Sequence, residues 1–332
     1  MSRRDRPVLA VGAVVLALSL TACGSGSGGS QSGGKVKVGL ITKTDTNPYF
    51  VKVRQGAEQA AKASNVELST AAGKFDGDNT SQVTALENMV ASGVKGVLIT
   101  PNDSKAIVPA IEKARAKGVM VIALDTPPEP QSAVDALFAT DNVKAGELIG
   151  AYAKAAMGGK PAKIATLDLA PGVSVGVQRH KGFTEGFGVA ADDPSIACSQ
   201  DTGGDQAKGQ TAMENCLQKA PDINLVYAIN EPAALGAYTA IKAKGREKDV
   251  MIVAIDGGCT GVQAVKDGKI AATSQQYPLK MAADGVKAIA NFAKSGDKAS
   301  GYTDTGVQLI TDKPQAGSES KDSGFGRENC WG

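Results

Sequence analysis

Short runs of β-branched and aliphatic residues alternate with segments of helical spacing, and this alternation restricts the fold more than any other feature. Residues 36–41 are typical of a buried strand, and the apolar positions Phe50, Val53, Ala57 and Ala60 then recur at helical spacing. Parallel neighbouring strands need a crossover between them, which is usually a helix. The strand–helix order therefore predicts a parallel, doubly wound α/β sheet.

The pattern restarts after about residue 140, so the sequence predicts two similar α/β lobes with a cleft between their strand ends. A length of 332 residues is enough for about two domains of roughly 150 residues each. Ser104 is the expected cap of the third helix. Strands are predicted over residues 36–41, 66–72, 96–100, 119–124, 163–169, 196–199, 225–229, 250–255 and 270–274. Helices are predicted over residues 50–60, 83–90, 107–114, 145–157, 178–187, 210–219 and 234–241.

Several predicted strands end in a side chain rich in hydrogen-bonding capacity: Asp125, Asn230, Asp256 and Gln276. Each one alone is weak evidence, because Asp and Asn are common at strand exits for reasons of turn geometry. Ligands of open α/β sheets bind at the carboxyl ends of the strands. The recurrence of such residues at that edge therefore predicts a polar binding cleft.

The loop after the first strand carries an unusual group of side chains. Asn47 offers an amide, and Tyr49 and Phe50 place two aromatics side by side in a chain with only 4% aromatic residues. This combination suits a planar or ring-shaped polar ligand, because aromatic faces cover apolar C–H surface while the amide forms hydrogen bonds.

The N-terminus has the order of a secretory signal. Three arginines precede an apolar run over residues 8–20, which is short for a membrane-spanning helix. The run ends in Leu20-Thr21-Ala22-Cys23, which resembles the lipobox of bacterial lipoproteins. We expect a signal peptide over residues 1–22, a lipidated Cys23 and a flexible Gly/Ser-rich tether over residues 23–34. A plain signal peptide, or a single anchoring helix with a chance cysteine, is the alternative.

Charge argues against a nucleic-acid partner. The formal net charge of the whole chain is +2, and removal of residues 1–22 takes away three arginines and one aspartate, which leaves zero. No basic face is implied.

Four cysteines remain beyond Cys23, an even number that suggests two disulfides in an exported protein, with three possible pairings. We favour Cys198 with Cys216, which encloses one strand–loop–helix unit, and Cys259 with Cys330, which would pin the tail over residues 311–332. Buried free thiols are the alternative.

Catalytic signatures are weak. The one histidine, His180, lies on a predicted helix, and no cysteine–histidine spacing for a metal is present. No phosphate loop occurs, and Gly257-Gly258 lacks the dinucleotide fingerprint. We expect no enzyme activity, no cofactor and no metal, and we expect His180 at the solvent or at the rim of the site.

A set of seven motifs, in this order along the chain, resembles the ribose-type sugar-binding proteins, which are type I periplasmic binding proteins that feed ABC importers. The resemblance runs from about residue 35 to 310. The motifs are residues 46–50, 123–125, 139–142, 178–179 with 182–183, 230–231 with 234–237, 255–257 and 272–276. Residues 41–44, 73–79 and 203–206 more closely resemble the fructose-binding branch.

The resemblance implies a role for each matching residue. Asn47 would exchange hydrogen bonds with sugar hydroxyls, and Tyr49 and Phe50 would flank the apolar face of the ring. Asp125 would accept from two hydroxyls on the side of the first lobe. The polar partners from the second lobe would be Arg179, Asn230, Asp256 and Gln276.

Two departures from the ribose-binding pattern bear on the ligand. That pattern has an arginine after the first-lobe carboxylate, where Thr126 stands, and an aromatic in the second lobe, near where this chain has Gly203 and Gly204. The pocket thereby gains room, so we expect a hexose, with fructose first and ribose or another pentose second.

The same resemblance implies two type I lobes joined by a hinge of three chain crossings, near residues 140–141, 276–277 and 306–307. The first lobe would comprise residues 36–140 and 277–306, and the second residues 141–276 and 307–332. The expected protein is a monomeric, lipid-anchored sugar receptor outside the cytoplasm that serves an ABC permease and its ATPase. A receptor that feeds a signalling system is the alternative. A repressor would need a DNA-binding helix pair where the export signal lies.

Overall fold

The computed structural model describes residues 34–332, which form two α/β lobes. The expected signal peptide, Cys23 and most of the expected tether lie outside the described residues. In the described part of the chain, no helix combines the length and the apolarity needed to cross a bilayer.

The first lobe is built on a wholly parallel six-stranded sheet. One face is covered by two helices that pack on each other, α1 (Pro48–Ala63) and α9 (Pro278–Ser295). The other face is covered by α2 (Asn79–Ala91) and α3 (Val108–Ala116). In spatial order the strands are β2 (Val66–Ala72), β1 (Val36–Thr42), β3 (Gly96–Ile99), β4 (Met120–Leu124), β5 (Ala136–Ala139) and β11 (Gly301–Asp304).

The second lobe repeats this plan with one difference. Its last strand pairs antiparallel to its neighbour, whereas the other pairs are parallel. In spatial order the strands are β7 (Ile196–Asp201), β6 (Ile164–Asp168), β8 (Leu225–Ala228), β9 (Met251–Asp256), β10 (Ala272–Gln275) and β12 (Gln308–Ile310). The helices are α4 (Asn142–Met157), α5 (Ser174–Phe187), α6 (Gln206–Lys219), α7 (Glu231–Ala243), α8 (Cys259–Lys266) and α10 (Ser323–Asn329).

Helices on both faces explain the apolar character of the central strands. Every residue of β3, β4 and β8 is buried, and these strands consist of aliphatic residues with few exceptions. Complete burial of a Val, Leu or Ile side chain contributes about 1.5–3 kcal/mol to the free energy of folding. These aliphatic runs are therefore strongly favoured as interior strands. The α/β fold predicted from the alternation is confirmed.

The chain passes between the two sheets three times. It leaves the first sheet after β5 and enters α4, returns from β10 to α9, and leaves again between β11 and β12. The carboxyl ends of β4 and β9 therefore face each other across a cleft next to these crossings.

Several elements were not predicted from the sequence. These are β5, α8, α9, β11, β12 and α10, and the last predicted element ends at residue 274. The predicted cap at Ser104 was wrong, because α3 begins only at Val108. Residues 103–106 form a turn in which Asp103 accepts hydrogen bonds from two backbone N–H groups. Ser104 Oγ instead donates to Ser174 Oγ of the second lobe over 2.9 Å.

Both disulfides favoured from the sequence are present. Cys198 is joined to Cys216 and ties β7 to α6, while Cys259 is joined to Cys330 and ties the start of α8 to the C-terminal tail. The tail is held further by the backbone N–H of Cys259, which donates to the carbonyl of Trp331. Trp331 is thereby carried to the cleft between the lobes.

Candidate ligand-binding site

A small cavity of about 30 Å³ lies between the lobes at the carboxyl ends of the strands. All eight residues that the sequence proposed for ligand contact lie on its wall, although they come from both lobes and are up to 229 positions apart. The wall is formed by Lys43, Asn47, Tyr49, Phe50, Asp76, Asp125, Leu169, Val175, Arg179, Gly204, Ile229, Asn230, Asp256 and Gln276.

Two of these residues, Asp125 and Asp256, end equivalent strands in the two lobes and share an uncommon backbone conformation. Their φ angles are 62° and 147°. Non-glycine residues adopt positive φ at a cost, and such residues cluster at functional sites where the surrounding structure holds them in place. Both carboxylates are buried, with 3% of each residue exposed. The backbone therefore turns each carboxylate into the cavity.

Arg179 connects the two carboxylates. Its Nη2 lies 3.5 Å from Asp125 Oδ1, and its Nη1 lies 3.8 Å from Asp256 Oδ1. The guanidinium is fixed from behind, because Nε donates to Asn142 Oδ1 over 2.7 Å and Nη1 donates to the carbonyl of Ile229 over 3.1 Å. These two hydrogen bonds fix the guanidinium, and its positive charge lies at the cavity wall.

Close packing of α5 on α4 places Arg179 there. A Cβ atom on Gly146 would collide with the carbonyl of Arg179, and one on Gly182 would collide with the carbonyl of Val143. Larger side chains at these glycines would push α5 outward. The guanidinium would then lose its reach to the first lobe.

Asp125 is only partly satisfied by the protein. Its Oδ2 accepts from Thr126 Oγ1 over 2.9 Å, whereas its buried Oδ1 has no hydrogen-bond partner among the described residues. A carboxylate oxygen without a donor is costly in a dry site. Oδ1 is therefore available to accept from a bound molecule.

Asp256 is coupled to the hinge. Its Oδ1 accepts from Gln276 Nε2 over 2.8 Å, and Gln276 Oε1 accepts from Thr140 Oγ1 over 3.2 Å. Both Thr140 and Gln276 lie at chain crossings between the lobes. Burial raises the pKa of Asp256 to about 7, although Arg179 and the Gln276 hydrogen bond act in the opposite direction.

The two asparagines also serve as helix caps. Asn47 Oδ1 accepts from the backbone N–H of Tyr49 at the start of α1, and Asn230 Oδ1 accepts from that of Ala233 at the start of α7. Asn230 Nδ2 in addition donates to the carbonyl of Gly204 over 3.0 Å. The caps hold both amides rigidly at the cavity wall.

An aromatic cluster closes one side of the cavity. Tyr49 packs edge-to-face on Phe50 and on Trp331, with both pairs of ring centroids 5.4 Å apart. Trp331 Nε1 donates to the carbonyl of Gln276 over 2.9 Å. Trp331 was not proposed from the sequence, because a tail residue has no strand-end position to mark it. The one sequence signal for it was its neighbour Cys330, because a disulfide at Cys330 fixes the position of the next residue.

Glu231 is a second residue that sequence reasoning missed. It is buried, and its carboxylate accepts from the backbone N–H groups of Gly257 and Gly258 and from Thr273 Oγ1. Burial, reinforced by the charge of Asp256, raises the pKa of Glu231 well above its ordinary value. Glu231 thus fixes the turn that follows Asp256. A glutamate at the start of a helix is ordinarily explained by the helix dipole, which hid this role.

A larger cavity of about 570 Å³ lies outside the small one, between the same two lobes. Asn47, Phe50, Asp76, Gly204 and Asp256 line both cavities, so the two adjoin. The outer cavity forms the mouth of the cleft.

His180 lies apart from the inner cavity. Its Nδ1 is 2.9 Å from Asp168 Oδ1, and the imidazole packs edge-to-face on Tyr227. The hydrogen bond to Asp168 raises the pKa of His180 above its ordinary value. No group of three or more histidine, cysteine or acidic side chains within residues 34–332 is arranged to hold a metal ion.

Comparisons with a family profile, with related sequences and with solved structures all agree on one family. The sequence profile of a family described as periplasmic binding protein domain matches residues 38–298. The ribose import binding protein of Bacillus subtilis (strain 168) is 37% identical over 274 residues, covering 80% of this chain and 87% of that protein.

Solved structures agree with the fold. An ABC transporter periplasmic solute-binding protein from Actinobacillus succinogenes with bound D-allose has a TM-score of 0.73 and 31% identity, covering 82% of this chain and 97% of that one. A carbohydrate transporter solute-binding protein from Agrobacterium radiobacter in complex with D-arabinose has a TM-score of 0.76 and 27% identity, covering 84% and 95%.

Proposed function

This chain belongs to the periplasmic binding protein family, and from that premise we propose that it is a receptor that binds a monosaccharide between its lobes and delivers it to an ABC import permease. The family implies a location outside the cytoplasm. The relatives named above are binding proteins of transport systems, not enzymes.

The observation that carries the proposal is the composition of the inner cavity wall. Carboxylates, a guanidinium and amides from both lobes converge there beside two aromatic rings. A sugar presents hydroxyls that donate and accept together with patches of C–H. Charged hydrogen-bonding groups and aromatic faces match these two surfaces.

Charge balance favours an uncharged ligand. Two cations, Lys43 and Arg179, face three carboxylates, Asp76, Asp125 and Asp256. No surplus positive charge is left to neutralise a phosphate or a sugar acid. We therefore infer a neutral polyol rather than a phosphorylated sugar.

Within that class a hexose is favoured, with fructose first and a pentose such as ribose second. Gly204 has a φ of 65°, and a Cβ there would come within 2.7 Å of Asn230 Nδ2. An aromatic ring of the kind present in the ribose-binding pattern is therefore sterically disfavoured at this position. The space next to Gly204 stays open for the larger sugar.

Binding is coupled to lobe closure in this proposal. The sugar enters the open cleft, contacts both lobes and shifts the population toward the closed form, which is the form that the permease recognises. Contacts to both lobes are essential, since a ligand shifts an equilibrium only by its difference in affinity for the two states. Lipid attachment at Cys23 would keep the receptor at the outer face of the membrane.

Thermal unfolding with a sugar panel tests the proposal. Residues 24–332 are purified and heated alone and with fructose, ribose, allose, glucose, galactose, arabinose and myo-inositol, because a ligand that binds the folded form raises Tm by mass action. One or a few neutral sugars should raise Tm selectively. The proposal fails if no sugar shifts Tm while a sugar phosphate or a nucleoside does.

Delivery and anchoring need separate measurements. The permease and ATPase reconstituted in vesicles should hydrolyse ATP faster with the sugar-loaded receptor than with the sugar alone. The full-length chain should incorporate labelled lipid in a bacterial host, and the Cys23→Ala variant should not.

A further inference from the structure

Lys43 is a buried lysine on the wall of the inner cavity. It directly follows β1, and only 1% of the residue is exposed. Its backbone carbonyl accepts from Asn102 Nδ2 over 3.1 Å, which fixes its position. Within residues 34–332, Lys43 Nζ makes no hydrogen bond and no ion pair within 4.0 Å. Burial lowers the pKa of Lys43, and the nearby carboxylates of Asp76 and Asp125 counteract that shift.

Asp76 faces Lys43 from the loop after β2 and is equally incomplete. Its buried Oδ1 has no hydrogen-bond partner among the described residues. Burial raises the pKa of Asp76, and the charge of Lys43 opposes this. A donor and an acceptor thus face the same cavity and influence each other without touching.

The position of the pair corresponds to a change in the first lobe. Where the ribose-binding pattern has an arginine after the carboxylate, this chain has Thr126, whose hydroxyl donates to Asp125 rather than reaching further. Lys43 brings a cation to the same cavity from the end of β1, which β3 separates from β4, and its charge and that of Asp125 influence each other. The lost positive charge is replaced from another strand.

Asp76 also lies on the path from the inner cavity to the outer one. It lines both the inner and the outer cavity, as Gly204 does from the opposite lobe. A ligand that extends beyond the ring bound at Asp125 and Arg179 passes between these two residues. The extension would lie where Lys43 and Asp76 can reach it.

We propose that Lys43 and Asp76 bind one exocyclic hydroxyl of the ligand and thereby select a hexose over the corresponding pentose. A hydroxyl oxygen between them accepts from Lys43 Nζ and donates to Asp76 Oδ1, which satisfies both groups at once. This inference rests on the proposed sugar-binding function. It adds the two residues that set the size of the sugar.

Calorimetric titration of single-residue variants tests the pair. Wild type, Lys43→Met and Asp76→Asn are titrated with the best-binding sugar of the panel and with analogues that lack one hydroxyl each. Lys62→Met is the control, because Lys62 is an exposed lysine in the last turn of α1 and lines neither cavity. Tm and circular dichroism verify that every variant is folded, and Asp76→Asn is a nearly isosteric change of a partly exposed loop residue, with little risk to folding.

The expected result is a coupled loss. Wild type should lose about 10- to 100-fold in affinity for one particular deoxy analogue, because that analogue leaves two buried polar groups unpaired. Lys43→Met and Asp76→Asn should each bind the complete sugar about 10- to 100-fold more weakly and no longer distinguish it from that analogue. Lys62→Met should behave as wild type.

Other outcomes overturn the inference in distinguishable ways. If wild type binds a sugar and both variants keep its affinity and its discrimination, the pair has no role, while the proposed function stands. The same holds if the variants lose affinity equally for all analogues, or if a pentose binds as tightly as any hexose. If wild type binds no sugar, the proposed function fails and this inference fails with it.

Discussion

Arg179 Nη2 of the second lobe lies 3.5 Å from Asp125 Oδ1 of the first lobe, in an ion pair buried between the lobes. The same guanidinium also faces Asp256, so one cation is shared by a carboxylate from each lobe. Holding the lobes together and presenting polar groups to the cavity are therefore tasks of the same side chains.

Replacement of Arg179 by Met should destabilise the protein by about 3–5 kcal/mol at pH 8, because two buried carboxylates would lose their cation. The deficit relative to wild type should shrink at pH 5. The pKa of Asp256 is already about 7, so its carboxyl is largely protonated there and needs the cation less. Urea unfolding at both pH values measures the free energy of unfolding. Arg54→Met removes a solvent-exposed ion pair with Glu58 and should cost about 1 kcal/mol or less; an equal cost for both variants would contradict the prediction.

Asp125→Ala and Asp256→Ala should each weaken sugar binding by about 2–5 kcal/mol, because truncation removes a charged acceptor and leaves the buried Arg179 incompletely paired. Isothermal titration calorimetry gives the change in Kd directly. Asp45→Ala is a suitable control, since Asp45 lies on the same loop as Asn47 but is exposed. Near-native affinity in both cavity variants would rule out the assignment of these carboxylates.

Sugar affinity should depend on pH through Asp256. Its pKa is about 7 in the free protein, where Arg179, Asp125 and Glu231 are the nearby ionisable groups. Sugar hydroxyls that donate to the carboxylate favour its ionised form, so binding lowers this pKa and releases a proton below pH 7. Affinity should therefore rise by at most about tenfold per pH unit from pH 5.5 toward 7, and then level off.

Titrations in buffers of different ionisation enthalpy detect the released proton. Asp256→Asn should abolish the pH dependence. His180→Gln should retain it, because His180, whose pKa is raised by its hydrogen bond to Asp168, lies outside the inner cavity. A flat affinity in wild type would show that Asp256 does not change its protonation on binding.

The fold and part of the inner cavity wall could be predicted from the sequence for a definite physical reason. Strands covered on both faces must be aliphatic, so the aliphatic runs predict the interior strands. Asp125 and Asp256 stand at the ends of two such runs, which predicts their place at the carboxyl edge of the sheets. Lys43, Glu231 and Trp331 escaped because their significance comes from tertiary burial. A lysine after a strand, a glutamate at a helix start and a tryptophan in a tail each have ordinary local explanations, and only the folded chain brings them to one cleft.

Glu231→Gln should lower the free energy of unfolding by about 1–3 kcal/mol, because an amide N–H₂ would face backbone N–H groups that now donate to a carboxylate oxygen. The turn after Asp256 would shift, so sugar affinity should fall as well, although Glu231 lines only the outer cavity. Urea unfolding and calorimetric titration measure the two effects. Glu58→Gln, on the exposed face of α1, should change neither. Unchanged stability and affinity would mean that Glu231 does not position the turn.

The disulfide between Cys259 and Cys330 should matter for sugar binding as well as for stability. It closes a loop of 71 residues, so its removal in a Cys259→Ser, Cys330→Ser variant should lower the free energy of unfolding by about 4 kcal/mol on the chain-entropy model. Trp331 would also lose its fixed position against Tyr49 and Gln276. Because Trp331 is the one tryptophan of the chain, its fluorescence should shift to longer wavelength in the variant. Sugar should change the tryptophan fluorescence of wild type, and this change should be absent from the variant.

The matched control removes Cys198–Cys216, whose separation of 18 residues predicts a loss of about 3 kcal/mol in the free energy of unfolding. That control should keep native fluorescence and sugar affinity; equal losses of affinity in the two double variants would indicate general destabilisation rather than a role of the tail at the cleft.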